Sequence, residues 1–362
     1  MKPMYNFSAP GRICLFGDHQ DYLGLPVIAC AINRWVYLRA RPMQGDYIHI
    51  HLPDISEEKI IKFNKGKKKL KPGDYYNSAI RVVKRYGCKP NKGFIVHINS
   101  TIPINAGLSS SSAITVVWIH FLLKTFGCDM EITPEFIAKL AFEAEVVEHN
   151  APGGKMDQYT IALGSILHIN TGEPFTFQTL GDELKGLIVA ESGTPKSTLG
   201  VLSKLKSKAL KGILEISTNF DGFRLDDVTE NDLPKYLEVV SDKYKIFVEA
   251  AVKNHCISQR ALACFQKEFI DYKLLGQLMN EHHEVLKNLL KITVPKIDKM
   301  INTAMNNGAY GAKIVGSGGG GSIVVLAPED KKLKIINKLK EVGAKDAYAT
   351  WVVSGTVDNL ND

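Results

Sequence analysis

The stretch Pro103-Ile104-Asn105-Ala106-Gly107-Leu108-Ser109-Ser110-Ser111-Ser112 sets one glycine and four consecutive hydroxyls directly before an apolar run. In that run Ile114, Val116, Val117, Trp118, Ile119, Phe121, Leu122 and Leu123 cover nearly every face of a helix, so the spacing predicts a buried helix over 110–126. The start of a buried helix offers unpaired N–H donors and the positive end of the helix dipole, which together favour an anion. Serines add donors for phosphate oxygens and a hard oxygen for Mg²⁺. A single serine suffices for an N-cap, and four after a glycine exceed that need. No GxxxxGK[ST] occurs, so a nucleotide held here would not sit on a Walker loop.

Working outward, strand-like patterns fall at 36–42, 47–52, 93–98 and 165–169, and helical ones at 79–86 and 134–149. A turn cluster, Thr171-Gly172-Glu173-Pro174, then leads to a second half rich in long helical patterns, which places a domain boundary near 180. There Ile297, Met300, Ile301 and Ala304 recur at helical spacing, with Thr293 as N-cap, Pro295 in the first turn and Gly308 beyond the end. Two strands, 312–315 and 322–326, flank Gly316-Ser317-Gly318-Gly319-Gly320-Gly321. This contains GxGxxG, but a strand follows where the dinucleotide fingerprint requires a helix. Five glycines in six positions suit a backbone that hugs a ligand.

Two polar groups complete the candidates. Arg12 precedes an apolar strand that ends in Asp18-His19-Gln20-Asp21, which alone reads as a solvated turn but also offers the donors and acceptors that sugar hydroxyls require. Glu145 and Glu148 close the 134–149 helix, where the dipole disfavours negative charge unless a cation is near. Past the break at 150–155, Asp157 is flanked by Met156, Ile161 and Leu163, a setting for a general base or charge anchor.

The bulk numbers agree with an ordinary globular chain: 362 residues, 45% hydrophobic and 23% charged, enough for two domains around a cleft. No apolar stretch reaches the roughly 20 residues of a membrane span, and the first residues carry no export pattern, so a cytoplasmic protein without a membrane partner is expected. Much of the +7 net charge comes from the run at 62–71, KFNKGKKKLK, which lacks interleaved aromatics and reads as a solvated loop, not a nucleic-acid site. The six cysteines form no CxxC pair and read as reduced core residues.

Three separated motifs, PGRICLFGDHQDY at 10–22, PINAGLSSSSA at 103–113 and GAKIVGSGGGGS at 311–322, together resemble the GHMP kinase family. LGQLMNEHHEVLKNL and TVPKID, at 275–298, also resemble that family's lead-in to the third motif. The first motif, and MDQY at 156–159, are most similar to galactokinases. The resemblance implies an α+β, two-domain fold: an N-terminal domain (1–180) with a left-handed βαβ unit, a C-terminal domain (181–362) with a ferredoxin-like layer, and the active site in the cleft between. It implies transfer of the γ-phosphoryl group of ATP, with Mg²⁺, to a hydroxyl of galactose or a galactose-like sugar, the anomeric C1 hydroxyl by analogy. Asp157 would serve the attacking hydroxyl and Arg12 the transferring charge. Asp18, His19 and Asp21 would hold the sugar, with Gly154 near its ring. Gly107, Ser109, Ser110, Ser111, Ser112, Gly318 and Gly319 would hold ATP, and Ser111 with Glu145 the metal.

Cys14 stands where galactokinases have asparagine, Leu25 replaces a glycine, and the segment 191–208 lacks a tyrosine expected near the sugar. Galacturonate, heptose phosphate and mevalonate-like acceptors are therefore competing substrates, with Lys155 and Lys196 as cationic anchors. A non-catalytic sugar sensor is the competing class. A monomer or homodimer is expected.

Overall fold

The computed structural model describes residues 4–63, 70–194 and 198–360; most of the lysine run, and Lys196, lie outside them. The chain runs β1 (Tyr5–Phe16), β2 (Val27–Met43), β3 (Tyr47–Leu52), β4 (Glu57–Lys62), α1 (Tyr75–Arg85), β5 (Gly93–Ser100), α2 (Ser110–Phe126), α3 (Pro134–Phe142), α4 (Met156–Leu163), β6 (Ile166–Asn170) and β7 (Thr176–Gly181). It continues β8 (Leu187–Glu191), α5 (Thr198–Asn219), α6 (Leu233–Leu237), α7 (Asp242–Phe265), α8 (Tyr272–Glu284), α9 (Pro295–Asn306), β9 (Gly311–Val315), β10 (Ser322–Leu326), α10 (Lys332–Glu341), β11 (Asp346–Ala349) and β12 (Val357–Leu360).

The first sheet has the order β12-β1-β2-β5-β3-β4, with β6 pairing the start of β2 and β7 pairing β6. Among the described residues only β3 and β5 run parallel. α2 packs on β1 and β2 beneath α1, α3 and α4, which is why its apolar residues surround it: Val116, Trp118, Phe121 and Leu122 are all fully buried. The second sheet is antiparallel in the order β11-β8-β10-β9, with α9 and α10 against it, a ferredoxin-like arrangement. α9 buries Ile297, Met300, Ile301 and Ala304 in a second core with Ile314, Ile323 and Val325.

The sequence reading needs several corrections. β2 begins at Val27, not near 36, because its first half is buried on both faces and shows no alternation. α1 begins at Tyr75, since Asp74 accepts from the Asn77 N–H and caps it. α9 starts after Val294 without a side-chain cap, and Pro295 in its first turn has no N–H to satisfy. The helix expected over 134–149 is α-helical only to Phe142, and Glu143–Val147 form a widened π turn. The chain leaves the first sheet after β7, at Gly181, and enters the second at Leu187, but β12 returns to pair with Tyr5–Ser8 of β1. That return covers an edge β1 would otherwise expose.

The two layers meet at the serine and glycine loops. Gly107 has φ +86°, and a Cβ there would stand 2.6 Å from the Val315 carbonyl oxygen, so only glycine permits this approach. Nearby, fully buried Lys313 of β9 donates to Asp18 (2.5 Å) and to the Cys14 carbonyl (3.0 Å). Burial is the largest influence and would raise the Asp18 pKa; the Lys313 charge and hydrogen bond, with His282 and His19, together outweigh it, and the carboxyl sits below its usual range. Lys313→Met leaves that carboxylate buried and unpaired, and urea denaturation should show a loss of roughly 3–5 kcal/mol.

Candidate functional site

A cavity of about 420 Å³ opens where β1, the serine loop, the π turn and the start of α4 converge. Arg12, buried in β1, donates through Nε to Asp157 Oδ1 (2.7 Å) and through a terminal nitrogen to the Gly107 carbonyl (2.6 Å). Burial opposes the guanidinium charge and Asp157 more than restores it, so the Arg12 pKa is raised. Ser109 donates to the other Asp157 oxygen at 2.6 Å. To do so it adopts φ +59°, a left-handed conformation that serine seldom takes and that clusters at functional sites. The helix break at 150–155 lets α4 start with Asp157 in its first turn, facing the serine loop.

The two glutamates of the former helix end separate. Glu148 pairs with Arg81 and Arg85. Glu145, turned inward by the π turn, accepts from Ser111 (3.1 Å) and Ser112 (3.0 Å) at one oxygen and from Gln158 (2.7 Å) at the other. Burial raises its pKa, the Gln158 bond opposes, and the Asp157 charge adds to the rise. No cation lies within ion-pair distance of Glu145 among the described residues. A buried carboxylate beside two hydroxyls, without a counter-charge, fits a hard dication.

Asp18, expected to hold an acceptor hydroxyl, has both oxygens engaged, by Lys313 and by the Gly316 N–H, and is 2% exposed. It braces the glycine loop. His19 lines the cavity with φ +66°; its Nδ1 is 3.2 Å from the Tyr22 hydroxyl, and its Nε2 is buried without a partner. Burial, partly offset by Asp18, pulls its pKa down to about 4, so the ring is neutral. Asp21 accepts from the Tyr22 N–H (2.8 Å), and burial followed by the Asp157 charge raises it to about 6. A Cβ on Gly154 would lie 2.3 Å from an Asp21 oxygen, so this glycine makes room for Asp21 at the cavity wall.

Gly107, Ser109, Ser110, Ser111 and Ser112 all line the cavity. From the glycine loop it is Gly316 and Ser317 that do so; Gly318 and Gly319 turn away onto Ile292, whose carbonyl accepts from the Gly319 N–H at 2.7 Å. The glycine count alone could not tell which end of the loop faces the ligand. Gln158 and Lys313 were missed too, although a lysine inside the apolar GAKIV run was a legible signal. Lys155 points to Glu173 and the Phe175 ring. Lys206, not singled out before, donates to the Pro152 carbonyl (3.3 Å) and lies over the Tyr22 ring.

The chain is similar to known proteins over most of its length. Family models match at residues 74–165 (GHMP kinases N terminal domain), 261–345 (GHMP kinases C terminal) and 2–42 (galactokinase galactose-binding signature). Among relatives, the mevalonate kinase of Thermococcus sibiricus is 30% identical over 345 residues, 93% of this chain and 92% of that protein. The galactokinase of Thermotoga neapolitana is 28% identical over 347 residues, 92% of each. In fold, Lactococcus lactis galactokinase complexed with galactose superposes with a TM-score of 0.84 at 20% identity, covering 98% of this chain and 95% of that one.

The elevated Asp21 sets a sign for stability against pH. Its folded form holds a proton that the unfolded chain releases near pH 4, so the native state loses ground as pH rises from about 4 to about 6. Denaturation of wild type and Asp21→Asn across that window should show the wild type falling relative to the variant, and a constant gap would show that Asp21 is not perturbed.

Proposed function

Because the chain belongs to the GHMP kinases, phosphotransferases that move a phosphoryl group from ATP to an alcohol, we propose that its acceptor is an uncharged, galactose-like sugar phosphorylated at the anomeric hydroxyl. The observation that carries this reading is the charge of the cavity wall. With Asp18 already paired to Lys313, Asp21, Glu145 and Asp157 line it against one cation, Arg12, which Asp157 and the Gly107 carbonyl already occupy. A carboxylate or phosphate on the acceptor would meet net negative charge there, whereas a neutral polyol finds the acceptors of Asp21 and the unpartnered nitrogen of His19. The match to a galactose-binding signature spans Arg12, Asp18, His19 and Asp21.

Asp157 then takes the acceptor's proton or anchors its developing charge, held in place by Arg12 and Ser109. Arg12 stabilises charge on the transferred group, and the N–H groups at the start of α2 receive the donor's phosphates. Ser111 and Glu145 are the residues that would hold Mg²⁺, which neutralises phosphate charge when bound. Phosphoryl transfer depends mainly on positioning and charge, so these parts suffice for the reaction class.

Asp157→Asn should abolish ADP release with every acceptor while sugar binding by calorimetry stays within a few-fold of wild type; near-normal turnover would remove Asp157 from the reacting centre. Ser109→Ala, losing one hydrogen bond to a charged group, should lower kcat about ten- to a hundredfold. A second reading, an anionic acceptor, is favoured by the mevalonate kinase relatives and by Lys206 at the cavity rim. An acceptor panel separates the two. Galactose-like sugars should exceed mevalonate and galacturonate in kcat/KM in a manner insensitive to Lys206→Met; the reverse order, with activity lost in that variant, would establish the anionic substrate. Absence of ADP with any acceptor, despite binding, would make the chain a sensor.

A further inference from the structure

Away from the cavity, the first sheet carries a cluster that phosphoryl transfer does not use. β3 alternates strictly, so Ile48, Ile50 and Leu52 enter the core while His49 and His51 stand together on the opposite face. The hairpin register places His51 opposite Glu58 of β4, and the parallel register places it beside His97 of β5. Glu58 joins both rings: His49 Nε2 is 2.8 Å from one carboxylate oxygen and His51 Nδ1 is 3.0 Å from the other. The His49 and His51 ring centroids are 4.2 Å apart, and His97 stacks on His51 at 4.7 Å.

From this juxtaposition on one sheet face we infer that His49, His51 and Glu58 form a binding site for a transition-metal dication of the zinc class. Two imidazole nitrogens and a carboxylate oxygen, all within 4.8 Å of one another, are the donor types such ions select. Donors around a tetrahedral Zn²⁺, with bonds of about 2.0–2.1 Å, stand roughly 3.3 Å apart. The separations of 2.8 and 3.0 Å, each to its own Glu58 oxygen, and the 4.8 Å bound on the whole set bring the three donors within side-chain adjustment of that spacing. The ion takes His49 Nε2 and His51 Nδ1, so the single N–H of each neutral metal-bound ring sits on the other nitrogen, His49 Nδ1 and His51 Nε2. Three protein ligands leave one position for water. Mg²⁺, which prefers oxygen donors, is not the ion for this face. Because β4 is the outermost strand, the ion would pin the sheet's edge to its neighbour.

The test is calorimetric titration of Zn²⁺ into the full chain at pH 7.5. One ion should bind, His49→Ala/His51→Ala should weaken that binding at least about tenfold, and Glu145→Gln should leave it unchanged. Turnover in the double variant reports that it has folded. A measurement on the wild type needs no substitution: Zn²⁺ should protect His49 and His51 from diethyl pyrocarbonate, read by mass spectrometry, while Mg²⁺ should not. Equal binding in the double variant, absence of binding at millimolar Zn²⁺, or unprotected histidines would each overturn the inference.

Discussion

Arg12 and Asp157, 2.7 Å apart, hold together pieces of chain that share no regular hydrogen bonding. A buried guanidinium without its carboxylate would carry an uncompensated charge, so strand β1 and the start of α4 are bound to each other as a condition of burying either. The same two groups also take the serine loop, Arg12 through the Gly107 carbonyl and Asp157 through the Ser109 hydroxyl. Fixed from both sides, that loop needs no ladder of its own. Its remaining N–H groups and hydroxyls can face the cavity.

The other carboxylates around the cavity are sorted by what neutralises them. Asp18 has Lys313 and becomes scaffold. Glu145 has only hydroxyls and an amide, and Asp21 has a single backbone N–H, so both are displaced toward the protonated form. Acidic groups in different surroundings, a short distance apart, are how one cavity can present both charged and neutral carboxyl groups.

Much of this was readable from residue types. α2, α9 and the strands around the glycine loop appeared because apolar spacing or glycine content leaves few alternatives at those positions, and three motifs in order resembled the family to which the chain belongs. The failures share a cause: they depend on contacts distant in sequence. Residue types alone did not distinguish Glu145 from Glu148, and only the family resemblance pointed to Glu145; the π turn separates them, rotating one toward Ser111 and the other toward Arg81 and Arg85. The roles of Gly318 and Gly319 turn on Ile292, and that of Asp18 on a lysine 295 positions away. β12, four residues long, is a strand only because β1 offers it an edge.

That short C-terminal strand has a mechanical side. The backbone passes between the sheets once after Gly181 and again after Ala349, so the layers are tethered at two places, not one. Bodies joined at a single point can swivel freely; joined at two, they turn chiefly about the line through both. The two crossings thereby fix the layers against free rotation, and hold Val315 and Gly107 in one register.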